Sequence, residues 1–159
     1  MFFLPTALPM TKATSKSITY AGTFERSMDA KNRVTIPAAW LSGGPDEFHA
    51  IPGPSGDCLI VMPPEEFDSI ESRIEQSGEP APKRRMAIRQ FYGQARAVSA
   101  DSNGRILLPE EQCDSVKLKG DVVLVGGRSR FEIWNAKRWA VVSAEESASY
   151  RQVAELIGL

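Results

Sequence analysis

Long apolar runs are missing from this chain: no stretch approaches the roughly 20 residues that a membrane-spanning helix needs, so no membrane partner is expected. Histidine and cysteine are scarce. The single histidine, His49, has no cysteine, serine or carboxylate set against it in a pattern that would make a nucleophile and its base. Cys58 and Cys113 lie far apart and match no zinc or redox spacing, which leaves them as small core or loop residues in a reducing compartment. The expectation is a non-enzyme with no catalytic residues, no metal site, no cofactor and no small-molecule substrate. An excess of charge of either sign is lacking too. Nineteen Lys and Arg face 20 Asp and Glu, for a formal net charge of −1 and a pI near 5.9. That excludes a basic footprint over the whole molecule, so any nucleic-acid affinity must come from local patches.

What remains is a globular composition. The 159 residues are 42% hydrophobic, enough to bury a core. Two units of about 60 residues would each be marginal alone, so a two-part chain of this length is expected to be an intertwined pair. The opening Met1-Phe2-Phe3-Leu4 has no basic residue before it and is broken by Pro5 and Pro9, unlike an export signal. Residues 1–18 read as a disordered extension, with Met10 as an alternative start.

An internal repeat organises the rest. Asp29-Ala30-Lys31-Asn32-Arg33-Val34-Thr35-Ile36-Pro37 is followed 72 positions later by Asp101-Ser102-Asn103-Gly104-Arg105-Ile106-Leu107-Leu108-Pro109, and both read Asp, three residues, Arg, apolar, any, apolar, Pro. Each copy leads into two β-rich segments around a turn: Phe48 to Ile51 and Cys58 to Met62 around Pro52-Gly53-Pro54-Ser55-Gly56, then Val122 to Val125 and Arg130 to Trp134 around Gly126-Gly127-Arg128-Ser129. The glycines of the second turn also suit an anion nest, but their place between two strands favours a hairpin. A helix follows each hairpin. Pro63-Pro64-Glu65-Glu66 opens the first, with Phe67, Ile70 and Ile74 at helical spacing and an end near Ser77-Gly78. Asn135 caps the second, which carries Trp139 and Val142. The units are 19–78 and 94–145. Between them, 79–93 forms a linker and a short helix from Lys83 to Tyr92 bearing Lys83, Arg84, Arg85 and Arg89. Residues 146–159 form a terminal amphipathic helix whose stripe, Tyr150, Val153, Leu156 and Ile157, needs a partner such as another subunit.

The repeated motif has a physical logic. Asp29 and Asp101 can start a turn by accepting backbone N–H bonds. Asn32 and Gly104 occupy a matching position where positive φ is tolerated. Arg33 and Arg105 then open the next strand at the rim of the sheet, close enough to the aspartate to be oriented by it. A held guanidinium can bind guanine or phosphate through two parallel bonds, and Lys31 suits a phosphate. The bland reading is an ion pair that merely steadies a turn; its duplication, with Arg kept where Lys would serve an ordinary surface pair, argues against that.

These residues resemble the MraZ family of bacterial transcriptional regulators, related to the AbrB-type swapped-hairpin DNA-binding fold. The resemblance covers about residues 20 to 143 and includes Tyr20-Ala21-Gly22, Arg84-Arg85, Val122-Val123-Leu124-Val125-Gly126 and Phe131-Glu132-Ile133-Trp134. It implies a β-dominated α+β fold in which two pseudo-symmetric units form one swapped-hairpin (double-split) β-barrel with peripheral helices. It further implies a ring-shaped homo-oligomer, cytoplasmic and nucleoid-associated, that binds double-stranded DNA at promoter direct repeats of the division and cell-wall gene cluster, as a repressor. By position, Arg33 and Arg105 correspond to the family's DNA-contacting arginines. The chain departs from the family in its N-terminal extension, in Ala38-Ala39-Trp40 after Pro37, where basic residues are common, and in Glu110-Glu111 after Pro109. The alternative reading is a protein-interaction scaffold or antitoxin-like dimerisation module.

Overall fold

Cys58–Met62 is apolar at every position, a pattern that suits a strand covered on both faces. In the computed structural model, which describes residues 17–159, this segment lies inside a six-stranded antiparallel sheet. The strands are β1 (Thr23–Ser27), β3 (Glu47–Pro52), β4 (Cys58–Met62), β5 (Arg96–Ser99), β7 (Asp121–Gly126) and β8 (Phe131–Asn135), in the order β1-β7-β8-β4-β3-β5. A separate two-stranded ribbon pairs β2 (Arg33–Thr35) with β6 (Arg105–Leu107). Four helices complete a strand-rich α+β arrangement: α1 (Pro64–Glu75), α2 (Ala81–Gln94), α3 (Glu110–Ser115) and α4 (Ala136–Leu156).

Side-chain alternation divides the core in two. Leu59 and Val61 of β4, with Phe48, Val122, Leu124, Phe131 and Ile133, point to one face of the sheet, where Val34 and Ile106 of the ribbon meet them with Trp40 and Leu108. Cys58, Ile60 and Met62 point to the other face with Trp134 and Val142, beneath Phe67 and Ile70 of α1, Phe91 of α2 and Trp139 of α4. Helices α1, α2 and α4 thus shield one face, and the ribbon with α3, through Cys113, covers the other.

Pairing runs across the chain's two halves. β1 pairs with β7, and β5 with β3; β2 pairs with β6, and β4 with β8. A crowded crossing holds the first strand in place: the Gly126 N–H donates to the Gly22 carbonyl over 2.9 Å, and a Cβ on Gly126 would lie 2.5 Å from the Tyr20 carbonyl oxygen. Gly126→Ala is therefore expected to cost about 1–3 kcal/mol through overpacking, lowering the thermal midpoint by about 2–12 °C. Melting in step with wild type would show that the Tyr20–Gly22 segment yields freely.

Several expectations need adjustment. The helix expected after the second hairpin and the terminal helix from residue 146 are one continuous helix, α4, with Asn135 as its N-cap accepting from the N–H groups of Lys137 and Arg138. Helix α2 is longer than the Lys83 to Tyr92 span. Helix α3 leaves little trace in the sequence because its residues are mostly polar, and only Gln112 and Cys113 are buried. The expected extension lies outside the described residues except for 17 and 18. His49 stacks on Phe67 at 3.8 Å between ring centres. Both cysteines are free and buried, and burial pushes the Cys58 thiol up to about 12 and the Cys113 thiol up to about 11.

Candidate nucleic-acid interface

Each Asp-x-x-x-Arg segment folds into a turn tied by its own aspartate. Asp29 Oδ1 accepts from the backbone N–H groups of Lys31 and Arg33, both at 2.9 Å, while Oδ2 receives Arg33 Nε at 2.6 Å. In the second turn Asp101 Oδ1 accepts from the N–H groups of Asn103 and Arg105 at 2.9 and 3.0 Å, and Oδ2 receives Arg105 Nε at 3.2 Å. Backbone bonds close both loops, from Asp29 N to Arg33 O and from Asp101 N to Arg105 O. The sharp reversal falls on Asn32 and Gly104, with φ of 60° and 72°. These are residue types that enter the left-handed region at low cost.

The ribbon then sets where the arginines project. In its register Arg33 faces Leu107, Val34 faces Ile106, and Thr35 faces Arg105. Directly opposed residues share a face and successive ones alternate. Val34 and Ile106, each 0% exposed, turn into the core, so Arg33, Thr35, Arg105 and Leu107 turn outward together. The two arginines occupy diagonal corners of one small surface, beside an exposed Leu107. Because each aspartate engages Nε, the terminal Nη groups of both arginines make no hydrogen bond among the described residues. Two preoriented donor pairs of this kind can meet guanine O6 and N7, or a phosphate. Lys31 lies inside the first turn, exposed and without an ion-pair partner among the described residues.

The turns also fix the charge state of their aspartates. The backbone N–H of Arg33, then its guanidinium and the Lys31 N–H, hold the Asp29 carboxyl below the usual 3.8. The N–H groups of Arg105 and Asn103, followed by the Arg105 guanidinium, do the same for Asp101. A carboxyl lowered in the folded state stabilises the fold fully above its unfolded value, and that contribution is lost as pH falls through the lowered one. The turns are therefore expected to be insensitive to pH near neutrality and to loosen only below about pH 4. Carboxyl carbon NMR titration should give midpoints below 3.8 for both aspartates; a midpoint at or above that value would contradict the geometry.

Two departures from the family pattern, at Trp40 and at Glu110-Glu111, have structural explanations. Trp40 closes a 3-10 turn, Ala38–Trp40, is 1% exposed and donates its Nε1 proton to the Ala21 carbonyl at 3.1 Å, a core position. Glu110 and Glu111 occupy the first turn of α3, where negative charge meets the positive end of the helix dipole. Glu111 also pairs with Arg96 at 2.8 Å. The basic cluster on α2 is partly neutralised, by Lys83–Glu79 at 3.6 Å and Arg84–Glu75 at 3.3 Å. Outside the repeated motif, Arg26 on β1 donates its Nε proton to the Thr35 carbonyl at 3.1 Å. The chain reversal at the first turn brings the ribbon back beside β1, nine residues on, and no spacing in the sequence marks Arg26.

Residues 91–157 match the family model described as "MraZ protein, putative antitoxin-like". Over most of its length the chain is similar to proteins named Transcriptional regulator MraZ. That of Symbiobacterium thermophilum is 36% identical over 137 residues, covering 86% of this chain and 99% of the relative. That of Desulforamulus reducens is 33% identical over 138 residues, covering 87% and 96%. That of Natranaerobius thermophilus has the same identity and coverage.

Proposed function

Since this chain belongs to the MraZ family, we propose that it is a sequence-specific DNA-binding transcriptional regulator whose reading head is the pair of turns at the ends of the β2–β6 ribbon. One observation carries the proposal: Arg33 and Arg105 stand on one outward face, each held through Nε with its Nη groups free. Asp29 and Asp101 orient them, Asn32 and Gly104 permit the bend, and Lys31 adds a phosphate contact. Two arginines per chain are few. A ring-shaped homo-oligomer would multiply them, so that individually weak contacts add along successive direct repeats. The exposed apolar residues of α4, Val141, Tyr150, Val153 and Leu156, supply a surface for self-association. The strand pairs exchanged between the halves support a swapped-hairpin barrel built from units 19–78 and 94–145. The family resemblance points to the division and cell-wall gene cluster as the target and to the nucleoid as the place of action. Occupancy of a promoter by a ring would obstruct polymerase, hence repression.

The test is binding of the purified chain to a labelled duplex from its own upstream region across a salt series. Affinity for DNA should fall by about 0.9 log units per log unit of salt for each phosphate contact. A second reading, a protein-interaction scaffold or antitoxin-like module, draws on the same exposed α4 residues. It predicts no DNA binding, together with partner association that salt barely weakens.

A further inference from the structure

The two turns are unequal in charge. Arg33 and Arg105 are each compensated by their own aspartate, so neither brings net positive charge to the ribbon. The first turn gains a free cation from Lys31. The second has Asn103 at the matching position and is followed by Glu110 and Glu111, so by its own sequence it offers a phosphate no net attraction.

We infer that Arg26 is a phosphate-contact residue of the second turn, lent to it by the first half of the chain; this rests on the DNA-binding reading above. Inter-strand bonds from Ile36 N to Gly104 O and from Leu108 N to Asn32 O set the ribbon's register so that the Thr35 carbonyl points away from β6. Arg26 Nε donates to that carbonyl at 3.1 Å, and its Nη1 donates to the Glu25 carbonyl at 3.0 Å. Its guanidinium carbon also lies 5.5 Å from the centre of the Phe24 ring. Thr35 is the residue opposite Arg105, so Arg26 flanks the ribbon at the level of the second turn's arginine. It is held as the two motif arginines are, through Nε, with Nη2 free, but by neutral carbonyls in place of a carboxylate. Glu25 and Asp121 border the same hollow, yet Arg26 forms no ion pair among the described residues. No direct ion pair among them therefore offsets its charge. The position 72 residues on, Val98, is buried, so the first turn has no such neighbour. Each end of the ribbon thereby has one compensated arginine that can read direction and one free cation that can attract phosphate.

The experiment compares full-length wild type, Arg26→Gln, Arg26→Lys and Arg33→Ala on the upstream duplex and on a scrambled duplex of equal length, across a salt series. Arg26→Gln should weaken both duplexes alike, roughly eightfold at 0.1 M salt for each phosphate that the side chain no longer reaches. It should also make the slope of log affinity against log salt shallower by about 0.9 for each such phosphate. Arg26→Lys should keep the wild-type slope, and Arg33→Ala should instead reduce the preference for the upstream duplex. Slopes equal in wild type and Arg26→Gln would overturn the assignment while leaving the DNA-binding reading intact. An equal loss of slope in Gln and Lys variants would also overturn it, by making Arg26 a structural tie. If wild type bound neither duplex, both readings would fall together.

Discussion

The Arg33→Ala/Arg105→Ala variant is expected to lose its preference for the upstream duplex while staying folded. Each good bidentate base contact discriminates by about 1–3 kcal/mol, so removing two per chain costs selectivity of about 30-fold at the low end and on the order of 10⁴-fold at the high end. Stability should change little. Asp29 and Asp101 would still accept the backbone N–H groups that shape the turns, and alanine removes no side chain from the core. The measurement pairs duplex titration with thermal melting and sedimentation. Unchanged preference in a folded double variant would remove the turns as the reading head, whereas absence of binding in wild type and variant alike would leave the scaffold reading standing.

The second large effect lies in the core. Phe131 is 0% exposed, and its ring centre sits 4.9 Å from Trp40, 5.4 Å from Tyr20 and 5.7 Å from Phe48. It joins aromatic residues of the first half to a strand of the second. Phe131→Ala is expected to cost about 3–5 kcal/mol, a large share of the roughly 5–15 kcal/mol that holds a typical domain together. The thermal midpoint should fall by about 6–20 °C. DNA binding should disappear at the same temperature as the aromatic signal, because the back of the ribbon packs into this cluster through Val34 and Ile106. A fall of less than about 2 °C would mean that the neighbouring rings refill the space.

Much of this arrangement is legible in the sequence because local chemistry dictates it. Pro64 with Glu65 and Glu66 marks a helix start, the Gly-rich bends mark the hairpins, and each aspartate announces its turn because Asn32 or Gly104, a residue that accepts positive φ, stands three places on. With that bend in place the arginine falls within reach of the same carboxylate. Features that depend on how elements pack on one another are not legible. Arg26 has meaning only because the first turn folds β1 back beside β2, and Glu111 because α3 faces Arg96. The unbroken course of α4 through residue 145 is hidden because Ser143 to Ser149 holds no apolar side chain larger than alanine to join Trp139 and Val142 to the stripe that begins at Tyr150.

The interleaving of halves has a consequence for the chain as it is made. During synthesis β2 emerges long before β6, and β1 long before β7, yet neither has a partner until the later strand arrives. Pairings so far apart in sequence close slowly, and a nascent chain released early would hold unpaired strand edges rather than a working half. A chain that ends before β6 therefore lacks the diagonal pair of arginines altogether. On the reading proposed above, a chain becomes competent to bind DNA only after β6 and β7 have been made, so the fold itself separates early fragments from the working protein.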